Sequence, residues 1–386
     1  MAKWQRIVSD LESDGVLLVQ DGNHGEYRPR PTEFGENGTA FIRAADMKGG
    51  RVLFESAQKI NEIARARVRK GIGAPYDVIL SHKGTVGKVA FAPAASPPFV
   101  CSPQTTFWRS LNPEVIDPLY LYAFLQSEPF RAQLRARENE SDMAAYVSLT
   151  EQRRLSVTVP PLEIQRAISG VLGALDGKIA ANERLTEVAL NLARALYSEA
   201  SAQDGESTEL GDVVSLRYGK ALREPDRCPG AVPVYGCTGQ VGWHDSALTA
   251  CAGPVVGRKG ANAGWISWAP RPCWVIDTAF FVELHKDYLS PELAFLVLES
   301  AQLSALVGDS AVPGLNREAA HRHSVRIPSR LVAPELDNRV RALMTRSTQA
   351  QEESRALAML RDALLPQLMS GKLRVRDAEK IMEDAV

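Results

Sequence analysis

Short clusters of cations beside glycines are the residues of this chain whose types and spacing could do chemistry. Arg258 and Lys259 precede Gly260 in the second half of the chain, and Lys83 precedes Gly84 in the first half. A glycine lets the main chain come close to a phosphate, and the neighbouring cation supplies the opposite charge. Because the arrangement occurs in both halves, it favours a binding surface for a polyanion over two ordinary solvated loops.

Further cations, amides and aromatic rings lie near these clusters, and they suit the reading of nucleic-acid bases. Arginine pairs with guanine, and asparagine with adenine, through two hydrogen bonds in the major groove. Any one of these side chains could equally be an ordinary solvated residue, whereas Trp108 and Trp274 are expected in the core. The predicted DNA-binding residues are Asn23, His24, Tyr27, Arg28, Lys83, Gly84, Lys88, Arg217, Tyr218, Lys220, Arg258, Lys259 and Asn262.

The sequence contains no motif that would make the chain a DNA-modifying or nucleotide-using enzyme. Asp117-Pro118-Leu119 does not fit the Asn/Asp-Pro-Pro-aromatic motif of adenine methyltransferases. Gly71 and Gly73 lack the third glycine of a dinucleotide fingerprint, and the segment from Gly84 to Lys88 lacks the spacing of a phosphate-binding loop. We therefore predict no catalytic residues and no cofactor bound by this chain.

Two weaker patterns point to other chemistry. Asp277, Glu283 and Lys286 are spaced somewhat like a nuclease triad, although the Glu–Lys spacing is wrong and Asp277 lies in an apolar predicted strand. His321 and His323 would share one face of a strand and could bind a metal ion. Because no third ligand is nearby, solvated or phosphate-facing histidines are favoured and we predict no metal site.

The composition indicates a globular protein with more than one domain. Its 386 residues are 45% hydrophobic, which is enough for two or more separate cores. The net charge of -1 means that any nucleic-acid surface must be a local cluster. The sequence shows no transmembrane run, no signal peptide and no Cys-x-x-Cys pair among its five cysteines. We expect a cytoplasmic protein with reduced thiols.

The elements that must position these side chains repeat along the chain. One strand-rich segment ends at Val159-Pro160 and a second ends at Ile327-Pro328, and a long helical run follows each. Such a duplication decides the fold, so it must be recognised first. We predict a first head at residues 1–158, a first rod at 159–203, a second head at 204–328, and a second rod with a frayed C-terminal tail at 329–386. Gly205 is expected to lie in a short linker.

The rods carry a heptad pattern that is typical of packed helices. In the first rod, seam residues from Ile168 to Leu196 recur at alternating steps of four and three, and Asn182 and Thr186 are polar positions within the seam. This polar pair would either fix the register of the helices or mark a wet position. The second rod repeats the apolar pattern from Leu336 to Leu368, and Pro366 is expected to kink or end it.

The two heads also match each other in the order of their motifs. The predicted correspondences are Lys83-Gly84 with Lys259-Gly260, Thr106-Phe107-Trp108 with Ala279-Phe280-Phe281, and the run from Val147 to Thr150 with the run from Val312 to Asn316.

These residues resemble the specificity subunits of type I restriction–modification enzymes, and the similarity covers the whole chain. The resemblance rests on Pro160-Pro161-Leu162-Glu163 leading into Leu175-Asp176-Gly177-Lys178-Ile179, and on the final run from Leu364 to Gly371. The opening Leu210-Gly211-Asp212-Val213 of the second head adds to it. The first head lacks this opening, which suggests that the two heads read different sequences.

The resemblance implies an α+β fold with two target recognition domains separated by two long antiparallel helices. Each domain would read one half of a bipartite site in double-stranded DNA, and the helices would set the spacing and dock two methyltransferase subunits. Restriction subunits would join the complex, and S-adenosylmethionine, ATP and Mg²⁺ would be bound by the partner subunits alone. The residues implied at helix–helix and methyltransferase contacts are Leu172, Leu175, Ile179, Asn182, Leu343, Leu357 and Leu364.

Two other functions remain as alternatives to a non-catalytic specificity subunit. One is a degenerate free-standing nuclease, and the missing catalytic motifs weigh against it. The other is a coiled-coil scaffold that binds only protein, and the duplicated Lys-Gly clusters weigh against that.

Overall fold

A computed structural model describes residues 4–138, 145–308 and 313–383. Val312, which belongs to one predicted correspondence, lies outside the described residues. The chain divides into two compact units, one made of Met1–Ile179 with Ala356–Val386 and the other of Ala180–Arg355. Unit 1 therefore contains the first predicted head (head 1), unit 2 contains the second (head 2), and each unit holds part of both rods.

Head 1 combines a six-stranded sheet, a five-stranded sheet and a two-stranded ladder. Its strands are β1 (Gln5–Ile7), β2 (Leu17–Asp21), β3 (Phe34–Gly35), β4 (Thr39–Ile42), β5 (Met47–Lys48), β6 (Arg51–Val52), β7 (Lys59–Ile60), β8 (Ile72–Gly73), β9 (Val78–Ser81), β10 (Val89–Phe91), β11 (Phe99–Cys101), β12 (Thr105–Ser110) and β13 (Ser156–Thr158). Its helices are α1 (Val8–Ser13), α2 (Glu62–Arg67), α3 (Pro118–Gln126), α4 (Glu128–Arg135) and α5 (Leu149–Arg153). The larger sheet has the order β2-β12-β9-β10-β6-β5, the smaller has β3-β7-β4-β11-β8, and β1 pairs with β13.

The predicted helix after Pro118 is confirmed as α3. The Asp117 carboxylate accepts the Tyr120 N–H, and Pro118 occupies the first turn, where its missing N–H has no intrahelical partner to lose. Trp108, on β12, is fully buried in the core of unit 1, as predicted, and the cluster around it extends to Ile168 and Leu364 of the rods. One face of the large sheet and the rod segments of unit 1 therefore share a single core.

Head 2 repeats this plan with fewer strands. After α6 (Leu162–Asp204) come β14 (Gly205–Glu209), β15 (Val214–Tyr218), β16 (Val232–Gly236), β17 (Gly239–His244), β18 (Gly253–Gly257), β19 (Ile266–Ala269), β20 (Trp274–Val275), β21 (Ala279–Leu284), α7 (Pro291–Ser300), α8 (Arg317–His321) and β22 (Ser324–Pro328). The sheet order β15-β21-β18-β19 matches β2-β12-β9-β10 of head 1, and the β14–β22 ladder matches β1–β13. The predicted duplication is therefore present in the strand topology.

Main-chain pairing confirms the correspondence of the two Lys-Gly clusters. Lys83 forms an isolated bridge with Tyr146, and Lys259 forms the same bridge with Gly314. The correspondence predicted for Thr106-Phe107-Trp108 is wrong by one residue. Thr106 pairs with Leu80 as Phe280 pairs with Val256, so Thr106 corresponds to Phe280 rather than to Ala279. A shift of one residue exchanges the two faces of a strand.

The rods are the helices α6 and α9 (Ala333–Ser370). In unit 2, the Asn182 side-chain N–H donates to Glu353 Oε2 at 2.7 Å, and the Thr186 hydroxyl donates to the Ser347 carbonyl oxygen at 3.4 Å. From Asn182 to Thr186 the residue number in α6 increases, while the number of the partner in α9 decreases from Glu353 to Ser347. The two helices therefore run antiparallel there. Because Asn182 is buried and has a defined partner, its contact favours the register interpretation of the polar pair over the wet position.

Two local predictions about the rods are wrong, and a third is wrong in one of its alternatives. Gly205 begins strand β14 instead of a linker, because its neighbours pair with β22. Of the two effects predicted for Pro366, an end of the helix does not occur, because α9 continues to Ser370, and a kink stays a prediction. The tail is not frayed over its described part, since α10 (Val375–Glu383) follows and buries Ala378 against the core of unit 1.

Candidate nucleic-acid interface

Each Lys-Gly cluster lies at the start of a hairpin, at one end of the large sheet of its head. Gly84 N–H donates to the Ala145 carbonyl oxygen, and Gly260 N–H donates to that of Pro313, both at 2.9 Å. Gly84 and Gly260 have φ of +81° and +93°, a region in which other residues are strained. These glycines hold the turns that leave the side chains of Lys83 and Lys259 exposed.

The last residues of β2 and β15 lie at the same sheet ends. Gly22 follows β2 and Gly219 follows β15. A Cβ atom on Gly22 would lie 1.9 Å from the Ser102 carbonyl oxygen, and one on Gly219 would lie 2.2 Å from the Ile276 carbonyl oxygen. Both positions therefore need glycine for a close approach of two main chains. We name the two ends the hairpin face of head 1 and the hairpin face of head 2. Their members are Asp21, Asn23, His82, Lys83 and Gly84 in head 1, and Tyr218, Lys220, Arg258, Lys259 and Gly260 in head 2.

The predicted residues of head 1 differ in how much surface they present. Asn23 is only 1% exposed, and its amide is covered by the head in this conformation. His24, Tyr27 and Arg28 are exposed around a short turn, and His24 Nδ1 bonds to the Gly22 carbonyl oxygen at 3.1 Å. Lys88 is exposed but its Nζ donates to the Ala44 carbonyl oxygen at 3.1 Å. Lys83 is therefore the cation that the hairpin presents most directly.

The predicted residues of head 2 form a more connected group. The Arg258 guanidinium lies 4.6 Å from the centre of the Tyr218 ring and donates to the Asp277 carbonyl oxygen at 3.1 Å. Lys259 is exposed, and so is Lys220, whose carbonyl oxygen accepts the indole N–H of Trp274 at 3.1 Å.

The remaining two predicted residues of head 2 lie beside this group. Arg217 is exposed and forms an ion pair with Glu283 at 2.7 Å. Asn262 is half-buried within the hairpin, and its carbonyl oxygen accepts the Trp265 N–H at 3.1 Å.

Sequence reasoning missed Asp21, His82 and Arg317 as parts of this surface. The Arg317 guanidinium lies 5.1 Å from the centre of the Tyr218 ring, and Arg317 follows the hairpin in sequence whereas Tyr218 precedes it. A residue-by-residue alignment of the two heads would have found Asp21 and His82, because they occupy the positions of Tyr218 and Arg258. Neither carries a motif of its own.

The weaker chemical patterns of the sequence have structural explanations. Glu283, one of the two acids of the faint nuclease pattern, is held by Arg217. His321 ends helix α8 and does not lie on a strand, so the predicted strand face shared with His323 is wrong. His321 Nε2 accepts the Leu216 N–H at 3.1 Å, and that nitrogen is occupied by the fold.

His321 gives a pH-dependent prediction. Burial lowers the pKa of His321 below its ordinary value, and only the neutral ring can accept the Leu216 N–H. The stabilisation is present above about pH 6.5, the usual pKa of histidine in an unfolded chain, and is lost as the pH falls through the lowered value. We expect hydrogen-exchange protection at Leu216, corrected for intrinsic rates, to fall between pH 8 and pH 5. His321→Gln should abolish this pH dependence and His323→Gln should retain it; equal behaviour of both variants would contradict the assignment.

One group of possible metal ligands occurs among the described residues, at Cys228, His244 and Asp245. His244 Nδ1 accepts the Cys228 N–H at 3.1 Å, so its proton lies on Nε2, 3.2 Å from Asp245 Oδ1. A ring nitrogen that carries a proton has no lone pair to offer a metal ion. The cluster is therefore explained as a fold-stabilising contact.

Comparison with known proteins agrees with this geometry. Residues 24–190 match the family model of the type I restriction modification DNA specificity domain. This segment belongs to that family. The predicted resemblance, and with it the function of DNA recognition in a type I restriction–modification system, is confirmed by this match. No curated protein is similar enough in sequence to count as a relative.

Solved structures extend the similarity in fold to most of this chain. The type I S subunit from M. genitalium is 17% identical, with a TM-score of 0.62 over 94% of this chain and 95% of that one. The HsdS subunit from Thermoanaerobacter tengcongensis is 16% identical, with a TM-score of 0.39 over 96% and 97% of the two chains. The first of these confirms the predicted fold of two heads and two long helices.

The docking residues predicted from the sequence lie on the faces where the rods pack. Leu172, Leu175, Leu357 and Leu364 are buried in the core of unit 1 and Ile179 is packed against it. Asn182 is buried, and Leu343 is packed against the core of unit 2. These side chains therefore serve contacts within their own units. No helix in the described part of the chain is both long and apolar enough to cross a membrane.

Proposed function

We propose that each head reads one half of a bipartite DNA site and that the hairpin face is the surface that meets the DNA. The observation that carries this proposal is the duplicated geometry of the two clusters. In each head, a glycine with positive φ turns the main chain so that the preceding lysine is exposed at the sheet end. Main-chain N–H groups and cations position a protein on phosphates, and neighbouring side chains then reach base edges.

The rods and the catalytic partners complete the proposed complex. The helices α6 and α9 set the spacing between the half-sites and dock two methyltransferase subunits, and restriction subunits join through that complex. S-adenosylmethionine, ATP and Mg²⁺ belong to these partners, and the chain itself contributes sequence choice in the cytoplasm. Neither the nuclease nor the protein-only scaffold gains support. Glu283, one of the two acids of the nuclease pattern, is paired with Arg217, and the sheet ends carry duplicated exposed lysines.

The contact of the hairpins with phosphate is tested by Lys83→Ala and Lys259→Ala. Each variant removes one exposed charge without removing a core side chain. We expect weaker binding of the assembled complex to its DNA, and a slope of log K against log salt that is smaller by about one for each lost charge.

A matched control is Lys372→Ala, which removes an exposed lysine between α9 and α10. It should leave both affinity and salt slope unchanged. If both hairpin variants behave like this control, the DNA interface lies elsewhere on the heads.

A further inference from the structure

The two heads carry different side chains at a pair of equivalent positions. Asp21 pairs across the sheet with Thr106 as Tyr218 pairs with Phe280. His82 N–H donates to the Gln104 carbonyl oxygen as Arg258 N–H donates to that of Thr278. Asp21 therefore corresponds to Tyr218, and His82 corresponds to Arg258.

The main chain around these positions is the same in both heads. Gly22 and Gly219 donate to the carbonyl oxygens of Thr105 and Ala279, and the close approach of main chains described above fixes both. The carbonyl oxygens of His82 and Arg258 accept the N–H groups of Val147 and Leu315. Because the main chain is shared at these positions, the two pairs differ only in the chemistry of their side chains.

In head 1 the pair presents acceptors that have no donor. Asp21 Oδ1 and His82 Nε2 lie 4.0 Å apart, beyond hydrogen-bond distance, and both are buried without a partner among the described residues. His82 Nδ1 donates to the Val147 carbonyl oxygen at 3.0 Å, so the neutral ring directs a lone pair from Nε2. Unpaired buried acceptors are unfavourable, and they indicate a place where a donor binds. The Asp21 side chain is 30% exposed although Oδ1 itself is covered, so a donor from outside meets the exposed part of this carboxylate.

In head 2 the same positions present donors and an aromatic ring. Arg258 stacks on Tyr218, which is 48% exposed, and Arg317 approaches the same ring. One N–H of Arg258 donates to the Asp277 carbonyl oxygen. This bond orients the guanidinium and leaves its other N–H groups to donate to a ligand. A guanidinium held in this way matches the O6 and N7 acceptors of guanine.

We propose that the pairs Asp21–His82 and Tyr218–Arg258 each select one base in the half-site of their head. This inference rests on the proposed function and names the residues that carry its specificity. Head 1 accepts a hydrogen bond from the exocyclic amino group of adenine or cytosine, because the one amino hydrogen that is not used in base pairing faces the major groove. Head 2 donates to guanine. The two heads thus share one scaffold and read opposite hydrogen-bonding patterns.

Exchange of the pairs tests the proposal in the complete complex with its methyltransferase subunits. Asp21→Tyr with His82→Arg gives head 1 the pair of head 2, and selection of bound sequences from a random DNA library gives the preference at every position. We expect one position of one half-site to change from adenine or cytosine to guanine by about tenfold or more, with the other half-site unchanged. The wild-type selection itself distinguishes adenine from cytosine.

A single variant and a matched control guard against misfolding. Asp21→Asn keeps the shape of the side chain but adds a donor, and it should relax the preference at the same position. Asp14→Asn, which alters an exposed carboxylate paired with Arg6 on head 1, should not change it. Folded exchange variants that keep the original preference, or that lose affinity equally for all sequences, would overturn the inference. A wild-type complex that selects no bipartite sequence would instead overturn the proposed function.

Discussion

A chain in which both rods are lengthened by one heptad is expected to recognise a site whose unread gap is longer by roughly three base pairs. Seven residues add about 10 Å to a helix, and DNA rises about 3.4 Å per base pair. A whole heptad preserves the apolar seam, so both half-site sequences should stay the same. The original site should be lost, because its two halves no longer match the spacing.

The contact between Thr186 and Ser347 fixes where the two inserts belong. Since the helices are antiparallel there, the first insert follows Thr186 in α6 and the second precedes Ser347 in α9. Sequencing of the methylated sites in cells that carry the variant and its methyltransferase measures the gap. A heptad in α6 alone leaves seven residues without a partner and should abolish activity. A folded, active double insertion that keeps the original gap would show that the helices do not set the spacing.

Replacement of Trp108 by alanine is expected to lower the free energy of unfolding of unit 1 by about 3–5 kcal/mol. Trp108 is fully buried, and its ring meets Phe130 edge to face with centroids 5.5 Å apart. Its indole N–H also donates to Gln152 Oε1 at 3.2 Å. Truncation therefore leaves a cavity and removes one of the two donors of a buried amide oxygen, the other being the Thr106 hydroxyl.

Hydrogen exchange separates this effect from any change in unit 2. A single unfolding free energy of the whole chain would not separate them, because the chain contains two units. Amides of β9 should lose protection in the variant, while amides of β18 should keep it. Trp265→Ala is the matched control, because that side chain is 61% exposed. Equal protection of β9 in both variants would contradict the prediction, because it would mean that loss of the Trp108 side chain does not lower the free energy of unfolding of unit 1.

The sequence predicts the large features of this fold because they rest on repeated, local signals. The heptad seam, the helix after Pro118 and the correspondence of Lys83-Gly84 with Lys259-Gly260 are all confirmed. The one-residue error in β12 has a physical cause. Thr105, Thr106, Phe107 and Trp108 are all buried, so no alternation of polar and apolar residues marks which face is which.

The candidate site was less predictable because it depends on contacts that are distant in sequence. A Cβ atom on Gly71 would lie 2.4 Å from Asn23 N, so a loop far along the chain packs tightly against Asn23. Asp21 and His82 are far apart in sequence, and neither has a neighbour that indicates function. The capping asparagine of α8, Asn316, was a local signal for a helix at His321 that the strand prediction overlooked.

The division of the chain between the units has a consequence for the order in which the protein is made. Unit 2 is one continuous stretch, Ala180–Arg355, whereas unit 1 needs both Met1–Ile179 and Ala356–Val386. During synthesis head 2, which comes later in the chain, can therefore finish folding before head 1. The core that contains Leu172 and Leu175 stays incomplete until Leu357, Leu364 and Leu368 leave the ribosome. A nascent chain stopped before that point would expose an apolar helix face, and a chaperone would find its target there rather than in the head that has just been completed.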